Sequence, residues 1–202
     1  MLTFDNLSYY RNHKKIFGNL GYTVSLNSCL LLTGKNGSGK TSLLKIIAGI
    51  IKPDGGKILW NNQEVRNFYQ EYCSDIQYIG HQNFLKPHLT ILENLLFYCQ
   101  LQDTEMLLPS AIRYFGLEEI ADMEIHKLSA GWQKRVLLAK LLCCPGAIWL
   151  LDEPTNNLDK QGKELLFNLI SSRIKDGGIV IAATHDEILF PLGNKLCLED
   201  FI

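Results

Sequence analysis

The stretch that decides the fold is Gly34-Lys35-Asn36-Gly37-Ser38-Gly39-Lys40-Thr41. It fits the pattern G-x-x-x-x-G-K-[ST] of a phosphate-binding loop. An apolar run at residues 29–33 precedes it, and apolar residues at helical spacing follow it at residues 43–47. These flanks supply the strand, loop and helix that the motif requires. They therefore favour a phosphate loop over a chance glycine-rich turn.

The chemistry of this loop follows from its residue types. Glycines let successive backbone N–H groups close around phosphate oxygens, and the helix N-terminus adds the positive end of its dipole. We expect Lys40 to reach the β- and γ-phosphates of a nucleotide and Thr41 to hold Mg²⁺. All eight residues at positions 34–41 are candidate nucleotide-binding residues.

Length and composition are those of an ordinary globular domain. The chain has 202 residues, of which 47% are hydrophobic, and its net charge is −1. One domain with a filled core is expected, and the lack of a basic field argues against a nucleic-acid partner. The six cysteines form no C-x-x-C pair, which predicts buried, reduced thiols. No run of 18 apolar residues occurs and residues 1–5 lack a signal pattern, so work at a membrane would need partner subunits.

The rest of the chain alternates between strand and helix patterns. Short strands are predicted at residues 2–8, 22–27, 57–60 and 76–79, and helical spacing continues from about 88 to 144. Two continuous apolar runs, at 147–151 and 179–184, read as strands buried on both faces, with a helix at 160–175 between them. The pattern predicts an α/β core at about 1–85 and 146–202, interrupted by a helical subdomain at about 86–145.

Two further motifs carry candidate chemistry. The run at 147–151 ends in Asp152-Glu153. In a protein with a phosphate loop, a carboxylate at a strand end orders the Mg²⁺ shell, so we assign Asp152 to the metal and Glu153 to the general base. Residues 128–132 place Ser129 at a helix N-cap, followed by the small Ala130 and Gly131. This helix start is a second candidate anion site.

The order of these motifs identifies a family resemblance. The phosphate loop is followed by Gln82 after a strand, then by residues 128–132, Asp152-Glu153 and His185 after a strand. This order resembles the nucleotide-binding subunits of ABC (ATP-binding cassette) ATPases over nearly the whole chain. The resemblance implies a P-loop NTPase core with an antiparallel β part and an inserted helical subdomain. It also implies ATP and Mg²⁺ as cofactors, and ATP hydrolysis.

The resemblance also implies roles for individual residues. Gln82 would contact Mg²⁺ and water, and His185 would contact the γ-phosphate. Such cassettes form head-to-tail homodimers, so Ser129 and Gly131 would contact ATP held by Lys40 of the partner subunit, and residues 156–159 would form the loop that crosses to that subunit.

The sequence departs from the family pattern at three places. Trp132 stands where the family commonly has Gln, and Asn156-Asn157 replace small residues. The aromatic residue that stacks on adenine falls near Arg11, with Tyr9 or Tyr10 as alternatives. A guanidinium can stack on a purine, so Arg11 remains a candidate.

Finer matches resemble one branch, the ATPase of bacterial cytochrome c maturation, or haem exporter ATP-binding protein. They lie at residues 78–82, 85–86, 89–90, 92–95, 128–131, 159–162, 177–181 and 184–185. This branch implies an ATPase at the cytoplasmic face of the inner membrane that drives handover of haem or release of a haem-loaded chaperone. We expect no direct haem binding, because His13, His81, His88, His126 and His185 have no axial-ligand context such as C-x-x-C-H.

The partners implied are integral membrane permease subunits, which would dock on residues 83–100. Within that segment Phe84, Leu85, Pro87 and Leu89 form either an exposed groove or part of the core. The alternatives in function are another small exporter and a soluble ABC ATPase for Fe–S cluster assembly. A translation-associated ATPase would carry two cassettes and a basic linker, and a P-loop kinase would leave residues 128–131 and His185 unexplained.

Overall fold

The computed structural model describes residues 1–80, 84–144, 146–185 and 193–202. Its centre is a five-stranded parallel sheet in the order β6-β7-β8-β3-β9. These strands are β3 (Ser28–Thr33), β6 (Ile76–Ile79), β7 (Ile148–Asp152), β8 (Ile179–Ala183) and β9 (Asn194–Cys197). The phosphate loop follows β3, and Asp152 ends β7 two strands away, so the fold brings both motifs to the carboxyl edge of one sheet.

A second sheet is antiparallel, in the order β2-β1-β4-β5. Its strands are β1 (Leu2–Arg11), β2 (Lys14–Val24), β4 (Gly55–Trp60) and β5 (Gln63–Glu64). β1 and β2 are joined by a two-residue turn in which Asn12 and His13 both have positive φ, 51° and 61°. This tight hairpin brings Arg11 to one end of the sheet.

Six α-helices surround the sheets in the described part of the chain. α1 (Lys40–Ile47) and α2 (Tyr69–Ser74) precede β6, and α6 (Lys160–Lys175) joins β7 to β8. Three helices lie between β6 and β7, namely α3 (Ile91–Gln100), α4 (Leu108–Tyr114) and α5 (Ala130–Cys143). In the residues that the structure describes, no helix is long and apolar enough to cross a membrane.

The parallel strands are buried on both faces, and alternate residues enter two different cores. On β3, Leu30 and Leu32 join the core beneath α1 and the antiparallel sheet, whereas Leu31 joins the core shared with α3–α6. β7 repeats this division with Leu150 and Leu151. Successive side chains of a strand point to opposite faces of the sheet, so a strand buried on both faces sends alternate residues into different cores. Packing on both faces holds the strand ends, where the candidate site lies, in place.

The predicted α/β architecture with an antiparallel part is confirmed. The strand at 76–79 and the helix at 160–175 have the predicted bounds. The prediction of a strand at 22–27 is wrong in its bounds, because β2 begins at Lys14 and ends at Val24. The six cysteines are free thiols, but Cys73 and Cys197 are only half-buried. The bounds of the helical subdomain stay a prediction.

Candidate functional site

The phosphate loop has the backbone that its glycines predict. Gly34, Gly37 and Gly39 have φ of 132°, 86° and 102°, which L side chains rarely adopt. Gly39 is the N-cap of α1, and a Cβ there would lie 2.5 Å from Cγ2 of Ile16. Glycine is therefore required at 39 both for its dihedral angle and for the close approach of β2.

Lys40 lies across this loop. Its Nζ donates to the carbonyl oxygens of Gly34, at 2.6 Å, and Lys35, at 3.1 Å. The side chain is buried, and the two loop carbonyls hold its ammonium. This places a fixed positive charge at the concave side of the loop, where phosphate oxygens would be attracted to it.

The two residues predicted to hold Mg²⁺ are in contact. Thr41 Oγ1 donates to Asp152 Oδ2 at 2.8 Å, joining the first turn of α1 to the last residue of β7. Asp152 is 3% exposed. A hydroxyl and a carboxylate are hard oxygen ligands of the kind that Mg²⁺ takes beside phosphates and water, so the donor set fits this ion.

Glu153 adopts a strained backbone conformation directly after β7. Its φ is 47°, a left-handed conformation that costs a non-glycine residue about 1–2 kcal/mol. Its N–H donates to Ala183 O at 2.8 Å, which continues the ladder with β8 and holds the bend. The carboxylate Oε1 lies 3.7 Å from Nε2 of His185. The predicted base and the predicted γ-phosphate contact are therefore neighbours, as expected of a reacting centre.

A residue that the sequence analysis missed supports Glu153 from the other side. Lys134, on α5, donates from Nζ to the main-chain oxygen of Glu153 at 3.1 Å. Burial lowers the pKa of Lys134 from 10.5 to about 8, while Asp152 and Glu153 act in the opposite direction. The uncharged form is thus favoured more than in water.

The depressed pKa makes the stability effect of Lys134 depend on pH. Between pH 8 and 10.5 the Lys134 side chain is protonated in the unfolded chain but not in the folded chain. The free energy of unfolding is therefore lowered in full by the buried charge below pH 8, and this destabilisation fades as the pH rises towards 10.5. The shift corresponds to about 3 kcal/mol. We expect Lys134→Met to be more stable than the unmodified chain at pH 7, with an advantage that shrinks towards pH 10.

Urea denaturation at pH 7, 8, 9 and 10 measures this advantage, with Lys52→Met as the control because Lys52 is exposed. A stability difference between Lys134→Met and the unmodified chain that stays flat over this range would contradict the prediction.

The predicted anion site at 128–132 begins α5. Ser129 is the N-cap, and its hydroxyl accepts from the N–H of Trp132 at 3.4 Å. A Cβ at Gly131 would lie 2.9 Å from the carbonyl oxygen of Asn157. The small residue at 131 therefore allows the loop at 156–159 to pack on the helix start, a reason that the sequence analysis did not give.

α5 is also tied to this loop by an ion pair. The Arg135 guanidinium donates from Nη2 to Oδ1 and Oδ2 of Asp159, at 2.8 and 2.9 Å. This contact holds the pKa of Asp159 below its usual range. Asp159 also caps α6 through the N–H of Gly162. Arg135, Lys134 and Gly131 thus all join α5 to the segment that follows β7.

A cleft of about 400 Å³ opens in front of the phosphate loop. Residues from the loop and the carboxylate pair line it, and Arg11 and Ile16 line it from the antiparallel sheet. Of the alternatives at the predicted adenine position, Tyr9 packs against Phe17 with ring centroids 6.0 Å apart, and neither Tyr9 nor Tyr10 lines the cleft. Of these three residues, Arg11 is the one that lines the cleft.

Some predicted residues are not brought into this cleft. Ser129 and Gly131 lie at the start of α5, beside a separate concavity lined by Ala130, Lys134 and Asn157, and Glu153 borders both. Gln82 lies outside the described residues. The structure adds Glu199, whose Oε1 accepts from the Lys35 N–H at 2.7 Å. No short-range signal marks Glu199, because its partner is near the other end of the chain.

Comparison with known proteins agrees with this geometry. Residues 17–156 match the family model described as ABC transporter. The chain is 41% identical over 187 residues to the cytochrome c biogenesis ATP-binding export protein CcmA of Rickettsia bellii, covering 93% of this chain and 94% of that protein. The chain belongs to the CcmA family of ABC ATPases. The CcmA of Escherichia coli O157:H7 is 37% identical over 188 residues, covering 93% of this chain and 90% of that protein.

Solved structures agree on the ABC ATPase fold. The ATP-binding subunit of an ABC transporter superposes with a TM-score of 0.86 at 22% identity, covering 98% of this chain and 85% of that one. An ATP-binding cassette solved as a dimer in a post-hydrolysis state, bound to ADP and Pi, has a TM-score of 0.85 at 25% identity, covering 98% of this chain and 94% of that one. The chain is a CcmA-like ATPase that binds ATP.

Proposed function

We propose that this chain hydrolyses ATP as the cytoplasmic-face subunit of a bacterial inner-membrane exporter for cytochrome c biogenesis, driving handover of haem or release of a haem-loaded chaperone. The main support for this proposal is the hydrogen bond of 2.8 Å between Thr41 and Asp152. It joins the phosphate loop to the end of β7, at a site whose residues suit ATP and Mg²⁺. The printed names of the relatives, cytochrome c biogenesis ATP-binding export proteins, support the choice of pathway.

In this mechanism each residue has a physical task. Residues 34–41 would bind the phosphates, Thr41 and Asp152 would hold Mg²⁺ together with Gln82, and Arg11 would lie beside adenine. Glu153 takes a proton from the attacking water, and His185, 3.7 Å from its carboxylate, contacts the γ-phosphate. Mg²⁺ supplies charge neutralisation on the phosphates when bound.

We also propose a head-to-tail homodimer, in which Ser129 and Gly131 of one subunit reach ATP held by the other. Two observations support it. The α5 N-terminus lies beside a concavity other than the one in front of the phosphate loop, so a second copy is needed to bring the two together. The similar cassette solved as a dimer with ADP and Pi supports dimer formation.

The division into a core at about 1–85 and 146–202 and a helical subdomain at about 86–145 belongs to this proposal. Its support is that α3, α4 and α5 all lie between β6 and β7.

Membrane permease subunits would dock on the segment at 83–100. Phe84 is 60% exposed and suits this role. Leu85 is 6% exposed and belongs to the core, so of the two alternatives given for this residue the core is confirmed and the exposed groove is not. Leu85 is buried because it packs against α3. A charge at position 85 would unfold this segment, so the variant would not test whether the permease docks here. Phe84 is the better probe.

The proposed function is tested by isolating the tagged chain, with ATP and Mg²⁺, from membranes of its native host. We expect small membrane proteins with a haem Soret band to accompany it. Phe84→Glu should lose these partners while keeping its basal ATPase rate, because a buried charge at the contact is costly and the site is elsewhere. Met106→Glu, at a position 86% exposed in the 3₁₀ turn before α4, is the matched control.

Other outcomes separate the alternatives. A permease without haem would leave a transporter of another substrate and overturn the haem assignment. Soluble scaffold proteins would favour the ATPase for Fe–S cluster assembly. Retention of all partners by Phe84→Glu would contradict docking at this segment.

A further inference from the structure

Two histidines and a glutamate that the ATPase site does not use lie together on the surface beneath α3. They are His88, Glu124 and His126, and one ligand atom from each lies within 4.8 Å of the others. The His88 and His126 rings have centroids 5.5 Å apart. We propose that these three side chains form a binding site for one divalent transition metal ion of the Zn²⁺ class. Imidazole and carboxylate are the donors that such ions take, and three protein ligands leave a fourth position for water.

The backbone beneath the cluster is fixed before any ion binds. The N–H of Ile125 donates to Leu89 O at 3.1 Å, and the N–H of His126 donates to Pro87 O at 3.0 Å. The buried Asn94 side chain donates to the carbonyl oxygens of Lys86 and Leu89. Hydrogen bonds therefore join the two segments that supply the ligands. Their backbone is already held in one conformation, as a metal site requires.

The hydrogen bonds also select which ligand atoms are free. Nδ1 of His126 lies 3.0 Å from Pro87 O, and a carbonyl oxygen only accepts, so Nδ1 carries the proton and Nε2 keeps its lone pair. Oε1 of Glu124 accepts from Lys127 Nζ at 2.8 Å, and Oε2 lies 3.3 Å from Nδ1 of His126.

The site has a definite place in the fold. It joins the segment before α3 to residues 124–126, which lead directly into the Ser129 cap of α5. A bound ion would cross-link these segments and should raise the melting temperature of the chain, because it binds the folded state and the unfolded state brings no ligands together.

Isothermal titration of the untagged chain with ZnCl₂, without nucleotide, tests the proposal. We expect one Zn²⁺ per chain and a rise in melting temperature. His88→Gln and His126→Gln should each weaken binding by at least about 10–100-fold, because the loss of a residue that only supports a metal ligand already costs that much. All three side chains are at least partly exposed, so these variants should fold normally. His13→Gln, in the exposed β1–β2 turn, is the matched control.

Three outcomes would overturn the proposal. The first is no saturable binding. The second is binding that survives both histidine variants but is lost in Glu153→Gln, which would assign the ion to the pair formed by Glu153 and His185. The third is an intense thiolate charge-transfer band with Co²⁺, which would assign it to the half-buried Cys73 or Cys197.

Discussion

Glu153→Gln should bind ATP·Mg²⁺ and remain dimeric while its hydrolysis rate falls by about 10²–10⁴-fold, the usual contribution of a general base. Glutamine has nearly the same shape but cannot accept the proton of the attacking water. The strained backbone at φ 47° and the N–H bond to Ala183 do not involve the carboxylate, so the bend should persist. Single-turnover ATPase assays and light scattering with and without ATP measure the two effects.

The control for this variant is Glu164→Gln, on the exposed side of α6. It makes the same chemical change away from the site and should keep the hydrolysis rate. Normal turnover in Glu153→Gln would show that another group activates water. Loss of ATP binding would show instead that the carboxylate supports the nucleotide pocket, since a lost base alone leaves binding intact.

The sequence predicted those parts of the site whose signals are local. The phosphate loop at 34–41 and the pair Asp152-Glu153 can each be recognised from a few neighbouring residues. The flanking strand, and for the loop the helix that follows it, are enough to predict their positions. Ser129 likewise caps α5 as predicted. The order of these motifs along the chain was enough to predict the ABC ATPase fold.

Contacts between distant segments could not be predicted in the same way. The bond from Lys134 to the Glu153 carbonyl depends on how α5 packs beside β7, and a lysine in a helix reads as a solvated charge until that packing is known. His88 and His126 are brought together by hydrogen bonds between their two segments, which are far apart in the sequence. The hairpin at Asn12-His13 was missed for a different reason. Its residues adopt positive φ without the Asn-Gly pair that usually marks such a turn.

Lys40→Ala should have the largest effect on nucleotide binding. The ammonium is the charge that the loop presents to the phosphates, and hydrogen bonds to charged groups contribute roughly 1.5–3 kcal/mol each. We therefore expect affinity for ATP·Mg²⁺ to fall by at least about tenfold per lost bond, and hydrolysis to be lost with it. Fluorescent-nucleotide titration measures the affinity. Lys45→Ala, on the same helix one turn later, is the control and should bind normally.

The structure adds a second consequence of this variant. Lys40 Nζ also joins the carbonyls of Gly34 and Lys35, so its removal frees both oxygens and loosens the loop. Lys40→Ala should therefore melt at a lower temperature than the unmodified chain in the absence of nucleotide, and ATP·Mg²⁺ should no longer raise its melting temperature. A variant that still gains stability from ATP·Mg²⁺ would show that the backbone N–H groups and the α1 dipole bind the phosphates without the lysine.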